Sequence, residues 1–279
     1  MKRWLFSVMI VFCLVGTVWG GEIETINSKA AFPEGPVWHN GRLYYVEYGA
    51  HRVTVWDGQK NTLFWQMDGS GPSAIIPVAG GDFLVTGYDN GTIIRISSEG
   101  KTLAVYKQDK NGKPFIGPND FTADAKGGVY FTASGPWESA PINGRIFYLD
   151  KDGRITEVAD DLHYANGLAL TKDGLTLFCA ESEAHRVIRF NVHKDSTLSD
   201  RTLFVRIGEV DAQSGANGYP DGLKIDPEGN LVIGQYSMGR ILVVNPEGKL
   251  LRAIAVPSTA SPNMNFSPDG QSLFVTAVD

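Results

Sequence analysis

Oxygen-bearing side chains recur at one position in a series of similar segments along this chain. Taken as equivalent, these positions hold Glu34, Ala74, Asn119, Asn166, Asp221 and Asn263. Five of the six side chains carry an oxygen, and none of the six residues is His or Cys. Such a set suits a hard cation, and Ca²⁺ fits best because it accepts about six to eight oxygen ligands in loose geometry. Mg²⁺ and Mn²⁺ are weaker candidates, and Zn²⁺ is the weakest.

An ordinary turn is the alternative interpretation of several of these residues. Pro220-Asp221-Gly222 and Ala165-Asn166-Gly167 are both common turn sequences, in which Asp or Asn bonds the local backbone. What distinguishes the recurring position is its register, because it always comes just before a strand. Glu34 is the hardest member to explain as a turn, since Glu is a poor turn residue and a poor strand residue. Asn263 is the weakest member and is interpreted as structural.

The segments that must position these residues form a tandem repeat. Each has a polar opening, a short apolar strand, a Gly-containing turn and a second strand, and most continue into a third and fourth strand. A repeat of about 45 residues with four short strands is typical of a β-propeller blade. The sequence therefore predicts an all-β, six-bladed β-propeller with four antiparallel strands per blade. A β-sandwich, the alternative, does not explain a regular tandem period.

The two ends of the chain are predicted to meet in the last blade. The final repeat contributes only two strands before Asp279, whereas residues 22–32 precede the first blade. An outer strand supplied by residues 22–32 would close the ring and leave no open sheet edge. Residues 21–279 are accordingly predicted to form a single domain.

Residues 1–20 have the pattern of an export signal peptide. Lys2 and Arg3 precede an uncharged apolar run, and Val18 and Gly20 suit the −3 and −1 positions of a cleavage site. A retained membrane anchor is the alternative, but the run is short for a span. We expect an exported protein, periplasmic or secreted, without a membrane partner after cleavage.

Charge and cysteine content limit the partners and the covalent chemistry. Cleavage after Gly20 would remove two positive charges and no acid, so the formal charge would change from −6 to −8. An acidic domain of this kind is not expected to bind nucleic acid. Only Cys179 would remain, which excludes an intrachain disulfide. The predicted partner is a small-molecule substrate, and the predicted state is a monomer or weak dimer.

Five motifs carry a resemblance to a known family: EGPVW (34–38), PND (118–120), ANGLAL (165–170), PDGLKID (220–226) and PDGQSLFVTA (268–277). With these motifs in order over residues 22–279, the chain resembles the senescence-marker-protein/gluconolactonase/luciferin-regenerating-enzyme-like family. Its members are calcium-dependent propeller lactonases, and diisopropyl-fluorophosphatase is related to them.

The resemblance implies roles for particular residues. It makes Glu34, Asn166 and Asp221 metal ligands, and Asn119 a contact to metal or substrate. The implied cation would polarise a lactone carbonyl and lower the pKa of a bound water. Asp221 would then act as general base, with Asn119 as the second catalytic residue. Asp120, which follows Asn119, is implied to help orient the site and to contact the substrate.

Substrate contacts are predicted mainly in the loops that follow each second strand. Trp137, Glu138 and Tyr236 lie in such loops, and His163 precedes Asn166 by three residues. Animal members that open sugar lactones carry Arg two residues before the Asn of PND, whereas this chain has Gly117 there. The departure argues against a polar sugar lactone, and it leaves metal-assisted hydrolysis untouched.

The leading hypothesis is an exported Ca²⁺-dependent hydrolase of the gluconolactonase type. Phosphotriester hydrolysis at the same metal is one alternative, and a binding propeller with a structural cation is another. An open pocket above the cation would favour an enzyme over the binding propeller, because a catalytic metal must be reached by water and substrate.

Overall fold

Almost all of the regular secondary structure in the described residues is β-strand. The computed structural model describes residues 23–137, 142–212, 218–260 and 262–278, together with the backbone of residues 7–13. Within these residues, helical structure is limited to the 3₁₀ turns Tyr48–Ala50 and Ser182–Ala184 and to the short α-helix α1, Ile207–Val210. No helix in the described part of the chain is long and apolar enough to cross a membrane.

Five blades are each built from four consecutive antiparallel strands. The first blade contains β3 (Pro33–His39), β4 (Arg42–Glu47), β5 (Arg52–Trp56) and β6 (Asn61–Gln66), and the second contains β7 (Ile75–Pro77), β8 (Phe83–Gly87), β9 (Thr92–Ile96) and β10 (Thr102–Tyr106). The third contains β11 (Pro118–Ala123), β12 (Val129–Ala133), β13 (Gly144–Leu149) and β14 (Ile155–Leu162). The fourth contains β15 (Ala165–Leu170), β16 (Thr176–Glu181), β17 (Arg186–Val192) and β18 (Leu198–Arg206). The fifth contains β19 (Tyr219–Ile225), β20 (Leu231–Tyr236), β21 (Arg240–Val244) and β22 (Leu250–Ala255).

Both ends of the chain contribute to the remaining four-stranded sheet, which we call the composite sheet. It contains β1 (Ser7–Cys13), β2 (Ile23–Asn27), β23 (Met264–Phe266) and β24 (Ser272–Val278), in the order β2-β1-β24-β23. The strand β1 pairs with β24 along its length, and β2 pairs with β1.

The predicted six-bladed architecture is therefore corrected. The β-propeller is confirmed, but five blades, not six, consist of four consecutive strands. The predicted closing segment, residues 22–32, contributes β2, and β2 pairs with β1 and not with the last repeat. Closure by a single N-terminal strand is thus not confirmed, because β1 lies between β2 and the edge that β24 would otherwise expose. The structure does not test whether residues 1–20 are a cleaved signal, so the predicted domain limits stay a prediction.

The hydrophobic core lies between neighbouring sheets. Apolar side chains of the second and third blades form one cluster, in which Phe131 stacks on Phe147 with ring centroids 5.2 Å apart. Equivalent clusters join each blade to the next. Trp38 of the first blade stacks on Phe274 of the composite sheet, also with ring centroids 5.2 Å apart. Strands buried on both faces explain the near-continuous apolar runs. Because Phe131 is fully buried, its replacement by Ala should cost about 3–5 kcal/mol.

Candidate functional site

The first strands of the five blades and β23 surround a common centre. They contact one another in the order β3, β7, β11, β15, β19 and β23, and β23 also contacts β3. At their N-terminal ends lies a pocket of about 280 Å³. It is lined by Phe32, Glu34, Tyr48, Tyr88, Asn119, Trp137, Tyr164, Asn166, Ser182, Tyr219, Asp221 and Tyr236.

An irregularity in four blades brings the oxygen-bearing residues to this pocket. In each of these blades the pairing of the first and second strands shifts its register over a short interval: between Glu34 and Val37, Pro118 and Phe121, Ala165 and Leu168, and Pro220 and Leu223. One extra residue on the first strand re-aims the side chains beside it. Each interval contains one of the four predicted donors, which is why all four face the same pocket.

Glycines after the donors allow the first strands to approach closely. A Cβ on Gly35 would lie 2.6 Å from the Cα of Ala74 in the second blade. A Cβ on Gly167 would overlap the backbone of Asp221, and one on Gly222 would overlap the Asn263 side chain. Gly167 and Gly222 thus serve interstrand packing and not a turn, since both lie inside strands. The turn interpretation of Asn166 and Asp221 does not describe the folded chain.

Hydroxyl groups connect the openings of neighbouring blades. Ser73 Oγ donates to the carbonyl of Asn119 at 2.8 Å, and Thr132 Oγ1 donates to the carbonyl of Asn166 at 2.8 Å. Asn166 Nδ2 donates to Ser182 Oγ at 3.2 Å, and Ser182 Oγ donates to the carbonyl of Pro220 at 2.6 Å. These bonds hold the irregular backbone in place and orient the Asn166 amide beside the fifth blade.

Two buried carboxylates dominate the electrostatics of the pocket floor. Burial raises the pKa of Glu34 well above its ordinary value, and the negative charge of Asp221 raises it further. Burial likewise raises the pKa of Asp221, with the charge of Asp120 as the second cause. A hydrogen bond from the Gly35 backbone opposes the shift at Glu34, and one from Asn166 opposes it at Asp221. The floor is therefore a place where negative charge is costly without a cation.

The donor set fits a hard divalent cation. Two carboxylates and two amides from four different strands line the pocket, and a cation between them would offset the mutual repulsion of Glu34 and Asp221. Among the described residues no group of three or more His, Cys, Asp or Glu is suited to hold a metal. A site here would thus depend on the amide oxygens of Asn119 and Asn166 as well as on the carboxylates.

The structure brings six of the predicted site residues together and separates others. Glu34, Asn119, Asn166, Asp221, Trp137 and Tyr236 all line the pocket. Asp120 does not line it, because its carboxylate accepts bonds from the backbone of Phe121 at 2.8 Å and of Leu168 at 3.2 Å. His163 also does not line the pocket, and its backbone N–H donates to Glu181 Oε1. Glu138 lies outside the described residues.

Asn263 has a supporting position. Its Oδ1 accepts a bond from its own neighbour Met264 N at 2.9 Å. Its side chain also hydrogen-bonds Glu34 and so opposes the upward shift of the Glu34 pKa. Asn263 therefore orients a predicted ligand, and it does not line the pocket itself.

Three aromatic residues two positions before the donors were not predicted as site residues. Phe32, Tyr164 and Tyr219 precede Glu34, Asn166 and Asp221 by two residues, and all three line the pocket. The repeat alignment contains this second column, so the signal was present in the sequence. Ser182 also lines the pocket, and it has no sequence signal that distinguishes it from other loop serines.

Comparisons with known proteins point to one family. Residues 32–279 match the family described as SMP-30/Gluconolactonase/LRE-like region. Pentonolactonase XacC of Haloferax volcanii is 28% identical over 262 residues, which cover 91% of this chain and 84% of that protein. A gluconolactonase of Zymomonas mobilis is 28% identical over 284 residues, covering 91% of this chain and 78% of that protein.

Solved structures share the fold at lower sequence identity. A gluconolactonase from Xanthomonas campestris, XC5397, superposes with a TM-score of 0.77 at 20% identity, covering 98% of this chain and 97% of that one. A structure of the nidogen/laminin complex reaches a TM-score of 0.71 at 14% identity, covering 98% of this chain and 97% of that one. The same architecture thus occurs in very different proteins, so function must be argued from the site.

Proposed function

Because the chain belongs to the SMP-30/gluconolactonase/LRE-like family and resembles proteins named pentonolactonase and gluconolactonase, we propose that it hydrolyses lactones with the help of a divalent cation, preferably Ca²⁺. Glu34, Asn119, Asn166 and Asp221 would hold the cation. When bound, it would polarise the lactone carbonyl and make water a better nucleophile at neutral pH. Mg²⁺ and Mn²⁺ are the other candidates, since they also prefer oxygen ligands.

One observation carries the proposal: four oxygen-bearing side chains from four separate strands line a single open pocket. Their strands share the same register shift, so the convergence is built into the fold. The pocket has a volume of about 280 Å³, and Glu34 and Asp221 are part of its lining. This supports an enzyme over a binding propeller, because a purely structural cation would need no such access.

Asp221 is the proposed general base. Its carboxylate is buried at the pocket floor and is oriented by the Asn166 side chain. It would take a proton from water as the water oxygen adds to the lactone carbonyl carbon. The ring C–O bond then breaks, the ring oxygen takes up a proton, and the product is a hydroxy acid. Asn119, also in the pocket, would orient the substrate carbonyl.

Metal removal tests the cation dependence. The purified protein is dialysed against EDTA, and hydrolysis of a panel of lactones and carboxylic esters is followed with a pH indicator. We expect activity to be lost and then restored by CaCl₂, with weaker recovery in MgCl₂ or MnCl₂. Full activity in the presence of the chelator would refute the cation dependence. A calcium-loaded protein that hydrolyses no member of the panel would refute the hydrolase.

Export and quaternary structure belong to the same proposal. We propose that the N-terminal segment directs the protein out of the cytoplasm, where it acts as a monomer or weak dimer on a small molecule. Its acidic charge supports a partner other than nucleic acid. N-terminal sequencing of the protein from the producing cells tests the predicted cleavage after Gly20, which would remove β1 and leave β24 without that partner strand. An intact N-terminus would refute the cleavage.

A further inference from the structure

We propose that the pocket selects neutral lactones with an apolar ring face, aromatic ones above all, and not polyhydroxylated or anionic lactones. This rests on the proposed lactone hydrolysis. The selecting element is a ring of aromatic side chains around the pocket, which we call the aromatic collar. It consists of Phe32, Tyr48, Tyr88, Trp137, Tyr164, Tyr219 and Tyr236.

Ring contacts join the collar residues into two groups. Trp137 packs edge-on against Tyr164 with centroids 4.7 Å apart, and it also contacts Tyr219 at 5.8 Å and Tyr236 at 6.1 Å. On the opposite side, Tyr48 contacts Tyr88 at 6.3 Å and Phe32 at 5.7 Å. Phe32, Tyr48 and Tyr88 thus form one of the two groups. Such rings provide large apolar faces with few rotatable bonds, which suits stacking on a planar substrate.

Two of the collar rings belong to residues with a strained backbone. Phe32 and Tyr164 both have left-handed backbones, with φ of 55° and 54°. A bulky residue in this region is unusual and costs free energy, and such outliers cluster at functional sites. Glycine would adopt the same backbone more easily, as Gly117 does at the equivalent position of the third blade with φ of 61°. The fold therefore keeps an aromatic ring where the backbone alone favours glycine.

At the third blade, where the equivalent position is Gly117, Tyr88 of the second blade supplies the aromatic ring. A Cβ on Gly117 would lie 2.9 Å from Cε2 of Tyr88 and 2.9 Å from the carbonyl oxygen of Gly135. No side chain fits at position 117 while Tyr88 holds its place. Tyr88 is held there by hydrogen bonds of its hydroxyl to the Gly135 carbonyl at 3.2 Å and to the Tyr164 hydroxyl at 2.8 Å.

Three of the five tyrosine hydroxyls of the collar are already paired with other protein groups. Tyr48 donates its hydroxyl to Asp89 Oδ1 at 2.8 Å, and the hydroxyls of Tyr88 and Tyr164 bond each other. Among the described residues that line the pocket there is no Lys, Arg or His. The carboxylates of Glu34 and Asp221 lie at the floor of the pocket. A hydroxyl-rich ring would lose its water hydrogen bonds against the collar, and an anionic ring would find no basic side chain to pair with it.

A matched set of six-membered lactones tests the selection. The calcium-loaded protein is assayed with dihydrocoumarin, δ-valerolactone and glucono-δ-lactone. We expect kcat/KM for dihydrocoumarin to exceed that for glucono-δ-lactone by at least about 100-fold, after correction for spontaneous hydrolysis. Equal or greater kcat/KM for glucono-δ-lactone would overturn the inference while leaving lactone hydrolysis intact. Failure with all three lactones would refute the proposed function itself.

Variants assign the selection to the collar. Trp137 is 40% exposed, so Trp137→Ala should fold. It should lower the dihydrocoumarin-to-valerolactone ratio of kcat/KM by about tenfold, mainly through KM, as loss of one aromatic contact implies. Trp137→Phe should retain most of the ratio. Leu175→Ala, at an exposed apolar position outside the pocket, is the control.

Phe32→Gly separates a selecting role from a structural one. It removes a collar ring and relieves the left-handed backbone, so the folded protein should persist while the ratio falls. An unchanged ratio in both Trp137→Ala and Phe32→Gly would overturn the assignment to the collar.

Discussion

The tripeptide Pro-Asp-Gly occurs twice in this molecule with opposite outcomes. Asp221 of Pro220-Asp221-Gly222 lies inside β19, is buried and lines the pocket. Asp269 of Pro268-Asp269-Gly270 is exposed in the turn between β23 and β24 and accepts bonds from Ser267 Oγ and Gln271 N. Burial raises the pKa of Asp221, whereas those hydrogen bonds, the one from Ser267 foremost, lower the pKa of Asp269.

The tripeptide Pro-Glu-Gly also has opposite outcomes at two places in the chain. Glu34 of Pro33-Glu34-Gly35 is buried in β3, where its Oε2 accepts a bond from Gly35 N. Glu228 of Pro227-Glu228-Gly229 is exposed in the turn between β19 and β20. Identical local chemistry thus serves a turn in one place and a candidate metal site in the other. What differs is where the tripeptide falls relative to the first strand of a repeat.

The largest expected effect separates the two aspartates. Asp221→Asn should lower kcat for lactone hydrolysis by about 10³-fold, since it removes the proposed general base. Asp269→Asn should leave kcat within about twofold, as is usual for a surface change. Steady-state kinetics and metal content are measured for both proteins. Unchanged turnover in Asp221→Asn would show that Asp221 is not the base.

The second-largest expected effect is a difference in calcium affinity between variants of the two glutamates. Glu34→Gln removes one of two carboxylate charges and should weaken Ca²⁺ affinity by about 10- to 100-fold. Glu228→Gln should bind calcium as the parent does. Isothermal titration with CaCl₂ measures both affinities. If the two variants bound calcium equally well, Glu34 would not be a ligand.

The two glycines are required for different reasons and should respond differently. Gly222→Ala forces its Cβ into Asn263 and should lower the free energy of unfolding by about 1–3 kcal/mol. Gly270→Ala places a side chain at φ of 68° and should cost about 1–2 kcal/mol. Denaturant unfolding measures both costs. Only Gly222→Ala should also weaken calcium binding, because displaced Asn263 no longer supports Glu34; equal calcium affinities would contradict this account.

The smallest expected effect is a linkage between protons and calcium. The raised pKa values of Glu34 and Asp221 mean that the metal-free folded state holds protons that the unfolded state has released. Without calcium, stability should therefore fall as pH rises from the ordinary carboxyl range towards the raised values.

Calcium binding should reverse this trend and release protons, so calcium affinity should rise with pH. Titration at one pH in two buffers of different ionisation enthalpy measures the proton release. Asp269→Asn should release as many protons as the parent, and Asp221→Asn should release fewer. Calcium affinity that did not change with pH would contradict the raised pKa values.

Much of the architecture was predictable from the sequence because it depends on local pattern. Alternating apolar residues and Gly-containing turns recur in each repeat, so the strands, the β-propeller and the family could be recognised. The column of Glu34, Asn119, Asn166 and Asp221 was likewise visible, and the structure brings all four to one pocket. Their roles as ligands stay a prediction.

Other features depended on contacts between distant parts of the chain. Asp120 looked like a site residue because it follows Asn119, but its carboxylate binds backbone N–H groups of the third and fourth blades. His163 is close to Asn166 in sequence, yet its side chain does not line the pocket. The pairing of β1 with β24 also escaped prediction, because residues 1–20 were interpreted as an export signal and the closing strand was placed in residues 22–32.

The repeat, the order of the strands within each repeat and the residue types that open them follow from local sequence, because side-chain alternation and turn chemistry act over a few residues. Whether a Pro-Asp-Gly or Pro-Glu-Gly lies at the pocket floor or in a turn depends on the packing of the blades. The physical reason is that the register shifts and the close approach of Gly35, Gly167 and Gly222 to the next strand exist only once the blades pack around a common centre.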